Sequence, residues 1–325
     1  MKSVAILACN NGLGHIKRAC ILNQLLLNRG IDVKLYGDES KINLFTNSKK
    51  IKKLNNIINI NNLPDALTYK YCSEDSITSV FREFSKRINS SFLISDNYYE
   101  PFLYGCEGAL LANFLWTDLI DNHKTGQILK KLEKFSKLTI LTSPFAKNYL
   151  KDCINREKVK IFGESKPQLN DKNYIFICKG FGNWTECFEN EIEDYFINNK
   201  NIFLGYKILY DKNFKNLNLP SVYNCEKYLG NLTDDFIGHA SCIVGRPSVG
   251  ILTDSLSLKI PFIPVFSSKD KESLHNSEVL KNLYPKTMSI KNTSISEQRK
   301  IIKKLDLDMN GEHDAINFIH KKISR

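Results

Sequence analysis

The stretch Cys9–Arg18, CNNGLGHIKR, sets a histidine behind two glycines, with an apolar run before it and a helical pattern after it. Imidazole gains and loses a proton near neutrality, so His15 at such a turn can draw a proton from an attacking hydroxyl. Gly12 and Gly14 would let an anion come close to the unpaired N–H groups of a helix start. Two acids could assist: Asp96 closes the apolar run FLISD and Asp118 closes FLWTD. The carboxyl ends of buried strands surround the ligands of α/β sheets, so either acid could orient His15 or act as the base itself. The ordinary alternatives are a solvent-facing histidine and loop-capping carboxylates.

The second half repeats the device. KGFGNW places Gly180 and Gly182 after a strand-like run, and RPSVGILTD puts Arg246, Ser248, Val249 and Gly250 in a turn ahead of a helix that carries Asp254. Such a turn suits a diphosphate, with Arg246 as a charge partner. Plain turn chemistry would use the same residues. Stricter codes fail: the dinucleotide fingerprint needs a third glycine where Lys17 stands, and no Gly-Lys-Ser/Thr loop is present. A DxD pattern, Asp306 and Asp308, lies in a polar region with no core strand ahead of it and reads as surface. No metal and no cofactor is expected.

These residues must be positioned by a chain of 325 residues, 42% apolar and 11% aromatic, which is long for one core and natural for two domains. No apolar run approaches the ~20 residues of a membrane span, and VAILAC is too short for a signal-peptide core. Nine cysteines without a CxxC pair read as reduced thiols of a cytoplasmic protein. The charge of +11 is uneven: residues 1–166 carry 25 Lys and Arg against 16 Asp and Glu, the remainder 21 against 19. A basic half suits phosphates or an anionic membrane surface, or reflects only a Lys-rich composition.

Strand and helix alternate, which implies parallel sheets covered on both faces. SVAILAC, DVKLYGD, SFLISD, ALLANFLW and KLTILTSPF read as strands, and IKRACILNQLLLNRG as a helix closed by Gly30. The polar stretch Phe162 to Asn173 is the candidate linker, after which YIFICKGFGNW restarts the pattern. IFLGYKILY reads as a strand, and NEIEDYFINN, KESLHNSEVLKNL and the tail from Ser294 as helices.

GLGHIKR and the helix behind it resemble the opening loop of GT-B glycosyltransferases. They are especially similar to the N-acetylglucosaminyltransferase of peptidoglycan synthesis and to the UDP-sugar hydrolase of pseudaminic acid synthesis, which shares the pattern Gly-x-Gly-His-x-x-Arg. ASCIVGRPSVGILTDSLSLKIPFIPVF is similar to the donor-binding segment of those transferases, and KESLHNSEVL to the segment after it, where Asn276 and Leu280 fall in place. The chain departs from the pattern at Ser248 for Gly, Asp254 for Glu, Lys259-Ile260-Pro261 for Gly-x-Pro and Ser273 for Gln.

The resemblance implies an α/β fold of two Rossmann-like domains facing across a cleft, residues 1–165 on the acceptor side and 166–325 binding the nucleotide. It implies ribose hydroxyls on Asp254, the diphosphate at Arg246–Gly250, Gly180 and Gly182 near phosphates or sugar, and Asn276 beside the donor. The expected reaction moves a sugar from a nucleotide-sugar, UDP-linked, to a glycan or lipid-linked acceptor in cell-surface polysaccharide synthesis, without metal. A nucleotide-sugar hydrolase using water is the alternative. Peripheral contact with the inner face of an anionic membrane would suit the basic half. Nucleic acid is not an expected partner, because recognition motifs and interleaved aromatics are missing.

Overall fold

A computed structural model describes residues 3–46, 57–60, 63–65, 68–69, 72, 74–120, 122–134, 138–151, 156–158, 173–179, 188–230, 232–283, 294–309 and 311–324. Contacts divide the chain into two units, Met1–Phe162 with Asn310–Arg325, and Gly163–Met309.

In the first unit β1 (Ser3–Leu7), β2 (Asp32–Gly37), β3 (Ile57–Asn59), β4 (Phe92–Asp96), β5 (Gly108–Leu111), β6 (Leu138–Thr142) and β7 (Arg156–Lys158) form one sheet. Its order is β3-β2-β1-β4-β5-β6-β7, and the pairings are parallel. Strands β1 and β4 are buried almost throughout, as unbroken apolar runs must be when helices cover both faces. The direction of winding reverses between β1 and β4, and a crevice opens at the carboxyl ends of such strands.

Helices α1 (Leu13–Leu27), α2 (Glu39–Thr46), α3 (Glu74–Arg87), α4 (Glu100–Leu103), α5 (Trp116–Ile120), α6 (Asn122–Glu133) and α7 (Asn148–Lys151) connect these strands. Helix α1 buries Ile16, Ala19, Cys20, Leu22 and Leu26, a stripe at helical spacing. It ends where Gly30 takes φ 73 and donates its N–H to the Leu27 carbonyl at 2.9 Å.

The second unit repeats the winding on a smaller scale. β8 (Tyr174–Cys178), β9 (Lys207–Asp211), β10 (Asn224–Tyr228), β11 (Cys242–Gly245) and β12 (Phe262–Pro264) pair in parallel in the order β10-β9-β8-β11-β12. Here the reversal falls between β8 and β11. Gly245 is required at that junction, since a Cβ on it would sit 2.3 Å from the Cys178 carbonyl oxygen. Helices α8 (Phe188–Asn198), α9 (Lys200–Phe203), α10 (Asp234–Gly238), α11 (Val249–Ser257), α12 (Lys271–Leu283) and α13 (Ile295–Lys303) complete the unit.

The last helix, α14 (Gly311–Ile323), joins the first unit, whereas the sequence reading gave 166–325 to the second. Its Ala315, Ile316, Ile319 and Ile323 enter the same apolar core as Val4, Ile6 and Ile16, and Arg29 donates to Asn317 Oδ1 at 2.6 Å. An amphipathic helix at a chain end carries no sign of which sheet it will cover. Three further differences have local causes. The polar segment NCEKY is β10, an exposed edge strand without alternation. ALLANFLW yields only a short strand, β5, before Trp116 opens α5. In IFLGYKILY, Ile202 and Phe203 belong to α9 and the strand begins at Lys207. Most of the expected linker, Phe162 to Asn173, lies outside the described residues.

Candidate active site

The turn after β1 and the end of β4 meet where the first sheet reverses. Gly12 caps α1 with φ 102, a conformation strained for any side chain although open space surrounds it. Gly14 lies exposed in the first turn and His15 follows it. The turn is tied down from two sides. The Asn10 N–H donates to the Tyr98 hydroxyl at 3.0 Å, and that hydroxyl donates to the Pro64 carbonyl at 2.6 Å. Lys41 Nζ donates to the Asn10 carbonyl at 2.9 Å and to its side-chain oxygen at 2.5 Å.

Asp96 is the last residue of β4 and only 1% exposed. Its Oδ1 lies 3.0 Å from His15 Nδ1, and its Oδ2 accepts Arg18 Nε at 3.0 Å. A second bond runs from Arg18 Nη2 to Oδ1, making the guanidinium bidentate. A carboxylate only accepts, so the His15 contact places the proton on Nδ1 and leaves the Nε2 lone pair for another partner. Burial alone would raise the Asp96 carboxyl, but Arg18 and His15 beside it outweigh burial and hold it below the ordinary value. Asn97, next in the chain, takes φ 65, which turns the backbone sharply away from the strand.

Of the two candidate acids, the structure brings Asp96 to His15 and not Asp118. Asp118 lies in the first turn of α5 rather than at a strand end, 4.0 Å from Lys147 Nζ. Arg18 joins them from the i, i+3 position relative to His15, the spacing that puts two side chains on one helix face.

In the second unit Gly180 and Gly182 lie outside the described residues. The turn after β11 leads into α11, whose N-cap is Ser248; the hydroxyl of Ser248 makes no capping bond. Val249 is half-buried, Gly250 is exposed and Asp254 is half-buried on the same helix. Asn276 is 2% exposed and donates to the Pro247 carbonyl at 2.9 Å, bracing the turn from α12. Arg246, expected beside a diphosphate, is already matched in charge. Its Nε donates to Asp270 Oδ2 at 2.7 Å and its Nη2 to Glu272 Oε2 at 2.9 Å. Burial would lower its guanidinium, but Glu272 and Asp270 together raise it. Asp270 also accepts the Ser273 N–H at 3.0 Å, so Arg246 ties the β11 turn to the start of α12.

Lys259 takes φ 57 just before β12, the left-handed conformation that the glycine of a Gly-x-Pro turn would adopt freely. Its Nζ donates to the Leu305 carbonyl at 2.5 Å.

No protein-family model and no curated protein sequence matches the chain. Solved structures do match in fold. MurG of Acinetobacter baumannii superposes with a TM-score of 0.59 at 12% identity, over 99% of this chain and 100% of that one. The spinosyn forosaminyltransferase SpnP gives 0.55 at 11% identity, over 100% and 95%. The glycosyltransferase VinC, solved in complex with dTDP, gives 0.53 at 10% identity, over 99% and 95%. The fold is that of the GT-B glycosyltransferases. At these identities the likeness concerns the fold, and the GT-B frame accounts for the two reversals of winding, one per unit.

The first unit of this GT-B chain also holds a cavity of about 120 Å³. Tyr69, Tyr99, Glu100, Thr117, Gln127 and Lys131 are among its lining residues. Tyr99 and Glu100 follow Asp96 by three and four positions, and Tyr69 donates to Glu100 Oε1 at 2.6 Å. Sequence reasoning missed this cavity, because its residues come from four separate segments with no common motif.

Proposed function

We propose that the protein is a glycosyltransferase that moves a sugar from a UDP-linked donor to a hydroxyl of a glycan or lipid-linked acceptor, without a metal ion. The carrying observation is the half-buried His15 paired with the buried Asp96 at the reversal point of a GT-B sheet. Nε2 of His15 takes the acceptor's proton while the acceptor oxygen bonds to the anomeric carbon. The bond from that carbon to the diphosphate breaks, and its electron pair leaves with the nucleoside diphosphate. In the second unit, the first-turn N–H groups of α11 and the positive end of its dipole suit the diphosphate of a bound nucleotide. Asp254 holds ribose hydroxyls. Asn276 and Arg246 act by fixing the turn rather than by touching the nucleotide.

The exposed cations Arg82, Lys86 and Arg87 of α3 and Lys130 of α6 would suit an acceptor presented at an anionic lipid surface. Among the described residues no helix is long and apolar enough to cross a membrane.

The test is nucleotide release from a panel of nucleotide-sugars, with and without candidate acceptors. Slow release alone and strong acceleration by an acceptor is the expected result, because a transferase must exclude water. Full-rate release without any acceptor would replace this proposal with a hydrolase.

A further inference from the structure

We propose that the cavity of the first unit binds a single acidic sugar ring, with the ring's hydroxyls on Glu100, Thr117 and Gln127 and its acid group facing Lys131 at the mouth. Taking that ring as the acceptor rests on the glycosyltransferase reading, but the test below reads binding without turnover.

The floor of the cavity is buried: Tyr69, Ile77, Tyr99, Glu100 and Ile128 are between 1% and 9% exposed. Its mouth is open, with Cys72, Gln127 and Lys131 exposed. Tyr69 is held from two directions. Its ring stacks on Trp116, with centroids 5.8 Å apart and planes 22° apart, and its hydroxyl donates to Glu100 Oε1 at 2.6 Å. Burial and then Glu100 push that phenol well above its ordinary value, so it stays a donor. The wall is therefore formed before a ligand arrives. The volume of about 120 Å³ is near the roughly 150 Å³ that encloses one benzene ring and well under the ~300–1,000 Å³ of sites for larger ligands. One ring fits, with its edge in solvent.

The lining matches a sugar better than an apolar ring. A pyranose is apolar on its C–H faces and polar around its edge. Tyr69, Tyr99 and the two isoleucines offer apolar surface to the faces. Between them Glu100, Thr117 and Gln127 set a carboxyl, a hydroxyl and an amide. Tyr69 and a further interaction engage Glu100, yet two carboxyl oxygens offer about four acceptor positions. The Thr117 hydroxyl lies 3.0 Å from that of Thr125 and keeps further hydrogen-bonding capacity. Lys124 and Lys131 both reach the mouth from α6, with Gln127 between them. Lys124 has an interaction of its own, whereas Lys131 forms no ion pair among the described residues. An acid group on the ring belongs at this mouth, because deeper in the cavity it would meet Glu100, a second acid in a buried place.

Cys72 supplies the readout, since its exposed thiol lines the same mouth. Its alkylation by iodoacetamide is followed in the full chain by peptide mass spectrometry, with the exposed Cys225 of the second unit as internal control. The probes are glucuronate, galacturonate, glucose 6-phosphate, glucose and acetate at millimolar concentration. The expected result is that an acidic sugar slows alkylation of Cys72 and not of Cys225, that glucose does so less well, and that acetate does nothing. Protection by the uronates assigns a carboxylate to the mouth, and protection by glucose 6-phosphate a phosphate; either supports the proposal. Lys131→Gln should weaken the protection by about two- to fivefold, the range for an exposed ion pair, and Lys131→Arg should restore it. Equal protection by glucose and the acidic sugars would overturn the proposal. So would equal protection by acetate, undiminished protection in Lys131→Gln, or no protection by any sugar. If Cys72 is protected while no sugar nucleotide is turned over, the proposed reaction falls and this site stands. Turnover onto neutral acceptors with Cys72 unprotected removes the site and leaves the reaction.

Discussion

Each unit carries an arginine–carboxylate cluster at the carboxyl end of a central strand, and the two are built in opposite proportions. In the first, one carboxylate, Asp96, serves Arg18 and His15. In the second, one guanidinium, Arg246, serves Asp270 and Glu272. A single acid shared by a guanidinium and an imidazole that bonds it through Nδ1 leaves the ring's Nε2 for another partner. A single cation held by two acids has nothing to exchange. The contrast separates a cluster fit for chemistry from one that fixes a turn, and it explains why the same residue type has different work at similar places in similar sheets.

The largest effect should come from removing the shared acid. Asp96→Ala removes the acceptor that Arg18 and His15 share at a position 1% exposed, and breaking a buried ion pair this way costs about 3–5 kcal/mol. Denaturant unfolding should show that loss as a marked fall in the first unit's stability. Glu272→Ala is the matched change in the second cluster. Arg246 keeps Asp270, so the cost should be only about 1.5 kcal/mol, the lower range for a hydrogen bond to a charged group. If Glu272→Ala proved as costly as Asp96→Ala, the two clusters would not differ as described.

Acid sharpens the comparison. Asp96 and Asp270 are both held below the ordinary 3.8 despite burial, by Arg18 with His15 and by Arg246 respectively. A depressed folded value contributes stability that is present above the unfolded value and lost as pH falls through the folded one. Melting temperature should therefore drop below about pH 4, and Asp96→Asn should flatten that part of the curve. An equally steep acid limb in Asp96→Asn would show that other carboxylates carry it.

The smallest effect concerns Lys259. Lys259→Gly should change stability by less than about 1 kcal/mol, because relief of left-handed strain is offset by glycine's freedom in the unfolded chain. Lys259→Val should cost more, by about 1–2 kcal/mol. Calorimetric melting of both variants checks the order.

Much of the frame was legible because the central strands are unbroken apolar runs and the turns after them carry glycine. Asp96 could be placed at a strand end for that reason. Asp118 looked the same in sequence, but its run breaks at Asn113 and restarts as a helix at Trp116, so the acid falls in a helical turn. The edge strands β7 and β10 are polar and short, and nothing in their pattern distinguishes them from loop. Arg246 reads in sequence as a ligand's charge partner, whereas its carboxylate partners lie 24 and 26 residues away, a pairing that only the fold brings together. Arg18 could have been found by helical spacing alone, had Asp96 been set opposite it.

The most direct test of the whole account is His15→Ala, measured for turnover with donor and acceptor and for the thermal shift that nucleotide induces. The account predicts a loss of about 10²–10⁴-fold in turnover, the usual contribution of a general base, with the nucleotide shift retained. A folded His15→Ala protein that turns over at the parent rate would contradict it.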